Sequence, residues 1–170
     1  MNYELRIKRG ATGGFSLLEL LIYVAVLAII VVVMASSFLS FSKGWSRATA
    51  RSEVNSNLRF AMEKIVQDVK AAATTTIPGY AGAVSPTLTL TVGGSSVTYD
   101  VVGGVLRRGG EPITASTTLI SNPSFLRLEN ANTSLATTTV SIRISLTAAY
   151  NSTGPDWQFS SSATTTATMR

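Results

Sequence analysis

The stretch Gly14-Phe15-Ser16-Leu17-Leu18-Glu19 leads directly into a long apolar run, LLIYVAVLAIIVVVM, at residues 20–34. No charged residue follows Glu19 until Lys43. At a rise of about 1.5 Å per residue, a helix over residues 20–42 would be about 35 Å long, enough to cross a hydrocarbon core of about 30 Å. The sequence therefore predicts one membrane-spanning helix with a single carboxylate near its beginning.

The composition narrows the possible function classes. The chain of 170 residues contains neither cysteine nor histidine, so it lacks the usual general base, the redox-active thiol and the commonest metal ligands. Its formal net charge of +5 is spread thinly, and too weak to predict nucleic-acid binding by itself. We therefore expect a protein that is not an enzyme and that needs no cofactor and no metal.

The first 14 residues, MNYELRIKRGATGG, carry three basic residues ahead of the apolar run. Positive charge before a span keeps that end of the chain in the cytoplasm. A secretory signal peptide is the main alternative, but its apolar region is about 7–15 residues long and is followed by a small-residue cleavage site. This run continues for longer, which favours a span with a cytoplasmic N-terminus.

The segment GFSLLELLI at residues 14–22 resembles the class III signal of type IV pilins and type II secretion pseudopilins. This resemblance implies that a prepilin peptidase cleaves between Gly14 and Phe15 and methylates the new N-terminus. It further implies that Glu19 pairs with the amine of a neighbouring subunit during assembly. The implied partners are other pilins or pseudopilins, the inner-membrane assembly platform and membrane lipids. The alternative for Glu19 is that its carboxylate only reaches the membrane–water interface.

The helical pattern continues beyond Lys43. Apolar residues recur three or four positions apart and predict one buried helix face: Val54, Leu58, Ala61, Ile65, Val69 and Ala72. We therefore predict one helix from about residue 15 to residue 73, apolar all round at first and amphipathic later. The pairs Arg59 with Glu63 and Lys64 with Asp68 are expected on its wetter flank.

After residue 73 the chain is rich in threonine, serine, glycine and β-branched residues, which predicts a sheet. Alternating residues at 87–92 and 97–101 flank Gly93-Gly94 and predict a β-hairpin. Further strands are predicted at residues 105–107, 113–120, 124–128, 139–150 and 163–169. The predicted fold class is α+β, with the long helix packed against an antiparallel sheet that has one apolar face.

These features divide the chain into a leader (residues 1–14), a membrane-spanning or filament-core helix (15–42), an amphipathic helix half (43–73) and a β-rich head (74–170). Their order resembles the J-type pseudopilins and the W-type minor pilins. The resemblance implies a minor structural subunit that assembles into a type IV pilus or a type II secretion pseudopilus. Such a subunit crosses the cytoplasmic (inner) membrane once, with its head outside, before it enters the filament.

The alternative function is a binding module displayed on the same scaffold, either an adhesin or a DNA-uptake receptor. Arg107 and Arg108, next to Gly109-Gly110, are the candidate ligand-binding residues. A solvated turn explains such a pair more simply, so nucleic acid is not expected as a partner. Asp156 alone falls short of the six to eight oxygen ligands of a calcium site, and Trp157 with Phe159 are expected in the core.

Overall fold

The computed structural model describes Gly14, residues 16–132 and residues 137–170. The chain divides into two compact units, Met1–Ser42 and Lys43–Arg170. A single long helix, α1 (Leu17–Ala71), contributes residues to both. In the described residues of the second unit the helix is followed by β1 (Ala72–Ile77), β2 (Val84–Ser85), β3 (Leu88–Val92), β4 (Ser95–Val102), β5 (Val105–Arg108), β6 (Glu111–Pro112), β7 (Thr118–Asn132), β8 (Thr137–Tyr150), a short 3₁₀ helix (Pro155–Trp157) and β9 (Ser160–Thr168).

The apolar face of α1 is buried as its spacing predicts. Val54, Ala61, Ile65 and Val69 have no exposed surface, whereas Phe60, on another face, is 54 % exposed. Residues three and four positions apart share one helix face, so these side chains form one continuous stripe. The stripe packs with the apolar sides of two antiparallel sheets, which confirms the predicted α+β fold.

The helix ends two residues earlier than predicted. Lys70 lies in its last turn and Ala71 is its last residue, and β1 begins at Ala72. The β-branched residues 74–76 favour the extended conformation. β1 therefore pairs with β3, beginning with Ala72 opposite Val92, and the sheet-forming part of the chain begins at residue 72, not 74.

The first sheet has the strand order β1-β3-β4-β5-β6. Its consecutive strands form hairpins whose turns are the glycine pairs 93–94, 103–104 and 109–110, all with positive φ. Such φ values are what tight two-residue hairpin turns require, which explains why glycine occupies both turn positions. The predicted hairpin around Gly93-Gly94 is confirmed, with Leu88 opposite Tyr99.

The second sheet has the order β2-β7-β8-β9, so the described residues of the head form two sheets where one was predicted. The alternation in β8 is confirmed, because Ile142, Ile144 and Leu146 are buried. Residues 124–128 are part of the longer β7, which pairs with β8 from Thr118 opposite Tyr150 to Asn132 opposite Thr137.

The strand predicted at residues 113–120 is wrong over its first half, because residues 113–117 form a loop. The buried Thr114 accepts a hydrogen bond from the Leu106 amide through its hydroxyl (3.0 Å). Helix α1 supplies two more partners: Asn57 Oδ1 accepts from the Ala115 amide at 3.0 Å, and Glu53 Oε2 accepts from a hydroxyl of the loop, that of Thr117, at 2.7 Å. These bonds to side chains replace the strand pairing that the residue types alone suggest.

Candidate functional site

The first candidate site is the beginning of α1. The Leu20 amide donates to the Ser16 carbonyl at 3.1 Å, and Glu19 lies in the first turn with its side chain in the open. The Tyr23 hydroxyl, one turn later, donates to Glu19 Oε1 at 3.3 Å. A carboxylate in the first turn is stabilised by the helix dipole. Gly14 is exposed, whereas Phe15 and the leader residues 1–13 lie outside the described residues, and with them the predicted cleavage point.

The part of the first unit that follows Glu19 is an apolar helical surface. Its large apolar side chains from Leu17 to Phe41 are between 49 % and 83 % exposed. The helix is long and apolar enough to cross a membrane. None of its most apolar stretch is buried, whereas the core helix of a soluble protein is mostly buried. In a water-soluble protein, other parts of the fold normally bury an apolar helix, but no described part of this chain buries this surface.

The serine hydroxyls within this apolar segment are bonded to the helix itself. Ser36 and Ser37 both donate to the Val33 carbonyl at 2.9 Å, and Ser40 donates to the Ser36 carbonyl at 3.0 Å. A hydroxyl that is bonded inside its own helix costs little in an apolar medium. The three serines therefore do not oppose insertion into a membrane.

The second candidate site is a buried polar cluster between α1 and the first sheet. Asp68 of α1 is 4 % exposed, and Oδ2 of its carboxylate accepts a hydrogen bond from the Tyr99 hydroxyl of β4 at 2.6 Å. The same oxygen accepts from Arg108 Nε of β5, also at 2.6 Å. Charge-assisted hydrogen bonds of this length are strong. The cluster therefore fixes two adjacent strands to the helix.

The cluster shifts the pKa values of all three groups. Burial by itself raises the pKa of Asp68, but the hydrogen bonds from Arg108 and Tyr99, together with the nearby positive charge, outweigh burial and lower it below its ordinary value. Burial and then the bond to Asp68 raise the pKa of Tyr99, and the bond to Asp68 raises that of Arg108. The neutral phenol and the ion pair are thus the stable forms at neutral pH.

The expected pairing of Lys64 with Asp68 on the wetter flank is wrong. Asp68 is directed into the cluster, while Lys64 Nζ donates to Gln67 Oε1 at 3.3 Å. The other predicted pair, Arg59 with Glu63, forms at 2.8 Å and is exposed. Position 68 lies three residues after Ile65 and seven after Ala61, so it shares their buried helix face and its side chain is directed inward to a cation from another element.

Arg107 and Arg108 are neighbours on strand β5, not residues of a turn, which is formed by Gly109-Gly110. Arg108 is opposite Tyr99 and Arg107 is opposite Asp100. Successive side chains of a strand point to opposite faces of the sheet. The two candidate ligand-binding guanidinium groups are therefore separated, and that of Arg108 is bonded to Asp68.

Asp156 pairs with a cation, as Arg47 Nη2 lies 3.2 Å from its Oδ1. Within the described part of the chain, no cluster of three or more acidic side chains could hold a metal ion. Trp157 stacks on Tyr150 with 5.4 Å between ring centroids, and Phe159 packs against the core. The Asp156 carboxylate thus forms an ion pair with Arg47, and the two aromatic residues have structural contacts.

Sequence reasoning missed Tyr23 and Tyr99. Tyr23 is four residues after Glu19, and this spacing places both side chains on one helix face. The sequence alone therefore indicates that contact. Tyr99 is 31 residues from Asp68, and no local pattern connects them.

No protein-family model, no curated protein and no solved structure matches this chain.

Proposed function

We propose that this chain is a structural subunit of a filament, of the kind found in type IV pili and type II secretion pseudopili. The observation that carries the proposal is the single carboxylate of Glu19 at the beginning of an exposed apolar helix. The same helix continues into a folded α+β unit. An apolar helix of this kind can be covered by lipid before assembly and by neighbouring helices afterwards.

Glu19 supplies the assembly contact in this proposal. Cleavage after Gly14 would expose an α-amine on Phe15, whose ordinary pKa of about 7.7–8.0 keeps it mostly cationic at neutral pH, and methylation preserves that charge. A carboxylate in an apolar medium is costly unless it is paired. Pairing Glu19 with the amine of a neighbouring subunit lowers that cost, so the assembled state is favoured over the isolated subunit. The Tyr23 hydroxyl lies beside this carboxylate and donates to its Oε1 at 3.3 Å.

The proposed location follows from the same features. The basic leader keeps the N-terminus in the cytoplasm, α1 crosses the inner membrane, and the second unit lies outside it. Prepilin peptidase and the assembly platform are then the partners in the membrane. The arginines of β5 do not favour the alternative of a displayed DNA receptor, because Arg107 and Arg108 point to opposite faces of their sheet.

The test is the substitution Glu19→Ala, compared with Glu63→Ala as a matched control. Glu63 is also an exposed acid of α1, but it pairs with Arg59 in the second unit. We expect Glu19→Ala to leave the amount of subunit in the membrane unchanged. The amount of subunit in sheared filaments should fall about ten-fold or more, which corresponds to the free energy of one charge-assisted hydrogen bond. Glu63→Ala leaves both unchanged. Normal incorporation of the Glu19→Ala variant contradicts the pairing.

A second measurement tests the processing step. Mass spectrometry of filament-derived subunits should find chains that begin at a methylated Phe15. Subunits that retain Met1 in assembled filaments would contradict the proposal that this chain is processed and assembled like a type IV pilin or pseudopilin.

A further inference from the structure

Among the described residues of the second unit, the strand order gives four edge strands, and three of them carry features that protect an edge. β2 and β6 have only two residues each, and β6 ends at Pro112. β1 has six residues, two register irregularities and Pro78 directly after it. Short strands, bulges and prolines are the usual devices that prevent a sheet edge from pairing with another chain.

The fourth edge strand, β9, has none of these devices. It is nine residues long, has the sequence SSSATTTAT, and pairs with β8 in an unbroken register. It contains no proline and no charged residue. A regular, uncharged edge of this length is a template on which another strand can form hydrogen bonds.

The hydrogen bonds at both ends of β9 show which backbone groups face the open edge. The Tyr150 amide donates to the Phe159 carbonyl, and the Met169 amide donates to the Val140 carbonyl, both at 2.9 Å. Paired residues alternate between bonded and non-bonded in an antiparallel ladder, so the odd-numbered residues of β9 bond to β8. The amides and carbonyls of the intervening residues point away from β8: Ser160, Ser162, Thr164, Thr166 and Thr168.

A groove of about 450 Å³ lies beside this edge, between β9 and α1. Residues 161–165 form one wall, and α1 forms the other with Asn55, Leu58, Arg59, Met62 and Glu63. Leu58 and Met62 retain 4 % and 7 % exposure, whereas the other buried apolar residues of α1 retain none. The groove therefore offers apolar contacts below a strand that pairs with β9.

We propose that β9 and this groove receive an extended segment of a partner protein, which adds a strand to the second sheet. The segment is uncharged and carries bulky apolar side chains at alternate positions, directed at Leu58 and Met62. Side chains that alternate along an added strand give such binding its specificity. This inference goes beyond the proposed filament function and does not rest on it.

A second copy of this chain fits the groove less well. If β9 of another copy paired here, its inward residues would be Ser161, Ala163 and Thr165, which are too small to fill the space above Leu58 and Met62. The other edges of a second copy are short or irregular. The unfilled volume and the lack of a matching edge favour a different polypeptide with larger side chains.

The experiment measures binding of a fluorescein-labelled peptide with uncharged side chains, Gln-Thr-Leu-Thr-Val-Thr-Leu-Thr-Gln, to the full chain in lipid nanodiscs by fluorescence anisotropy, with empty nanodiscs as the background. Thr164→Pro removes an edge-facing amide, while Thr164→Val keeps that amide and loses the same 3.0 Å hydroxyl bond to Ser145. We expect Thr164→Pro to weaken binding about ten-fold or more and Thr164→Val to change it less than about two-fold.

Two further measurements keep the test independent of folding in the proline variant. Asn55→Trp fills the groove from the exposed side of α1 and leaves β9 intact, so it should also weaken binding about ten-fold. A peptide with N-methyl groups on alternate amides should not bind. The proposal is overturned if no saturable binding is seen up to about 1 mM peptide. It is also overturned if the wild-type chain and the Thr164→Pro variant bind the peptide with equal affinity. Concentration-dependent dimers that Thr164→Pro abolishes, without peptide binding, would assign the edge to a second copy and overturn it as well.

Discussion

At the scale of single residues, the carboxylate of Asp68 is buried and yet its pKa is lowered. Desolvation opposes the charged form, but Tyr99 and Arg108 both donate to one carboxylate oxygen at 2.6 Å. Removing a charge from such a cluster leaves the Arg108 guanidinium, which is one-third exposed, without an ionic partner. The cluster therefore makes the stability of the second unit depend on pH.

We expect Asp68→Asn to lower the free energy of unfolding by about 1–3 kcal/mol at neutral pH. Because the folded-state pKa of Asp68 lies below its ordinary value of 3.8, its contribution is complete above about pH 4 and is lost as the pH falls through the folded-state pKa. The difference between wild type and variant should therefore shrink below about pH 4 in urea unfolding of the full chain. Glu63→Gln, which changes an exposed pair, should have little effect. A difference that is constant down to pH 2 would contradict this account.

Tyr99 has the opposite dependence on pH. Its raised pKa means that the folded state holds the phenolic proton more tightly than the unfolded state, so this contribution is complete below about pH 10 and falls as the pH rises above it. In an absorbance titration of the folded chain, Tyr99→Phe should leave the change up to about pH 12 nearly intact. A clear loss of that change in the Tyr99→Phe variant would show that the pKa of Tyr99 is not raised.

At the scale of elements, the second glycine turn joins β4 to β5 and carries the tightest approach of the three. A Cβ atom on Gly104 would lie 2.6 Å from Leu119 Cδ2, and its φ is +79°. Gly103 has a φ of +60°, but no atom lies within 4 Å of a Cβ placed there. The two positions therefore separate the cost of the backbone conformation from the cost of a steric overlap.

We expect Gly103→Ala to lower the free energy of unfolding by about 1 kcal/mol, the cost of a left-handed conformation for alanine. Gly104→Ala should lower it by about 2–4 kcal/mol, because it adds overlap with the Leu119 side chain. Urea unfolding of the two variants measures both values. The double variant Gly104→Ala with Leu119→Ala should recover part of the loss, and equal losses in the two single variants would show that the overlap relaxes.

The elements also show what the sequence can and cannot predict. Periodicity predicts α1 and the alternation of β8 because each depends on spacing within one segment. It does not predict the loop at residues 113–117, whose bonds go to Asn57 and Glu53 more than fifty residues away. The same limit applies to the site. Glu19 is visible as an isolated charge in an apolar run, whereas the pairing of Asp68 with Arg108 depends on the fold.

At the scale of the whole molecule, the two units differ in how much of their apolar surface is buried. The second unit has a continuous core that includes Ile65, Tyr99, Phe125 and Ile144, all without exposed surface. In the described part of the first unit, the large apolar side chains from Leu17 to Phe41 are at least 49 % exposed. The exposed apolar helix is long and apolar enough to cross a membrane, and lipid could cover such a surface.

Two lysines within the apolar run should therefore prevent stable membrane insertion. Each lysine near the centre of a span costs about 2.5–3.5 kcal/mol, so Ile30→Lys with Val31→Lys opposes insertion by about 5–7 kcal/mol. We expect the wild-type chain to remain in the membrane pellet after alkaline carbonate extraction and the double variant to be released. Ser52→Lys with Ser56→Lys adds the same charge at exposed positions of the second unit and should leave extraction unchanged. Retention of the Ile30 and Val31 variant in the pellet would show that the apolar run is not what holds the chain in the membrane.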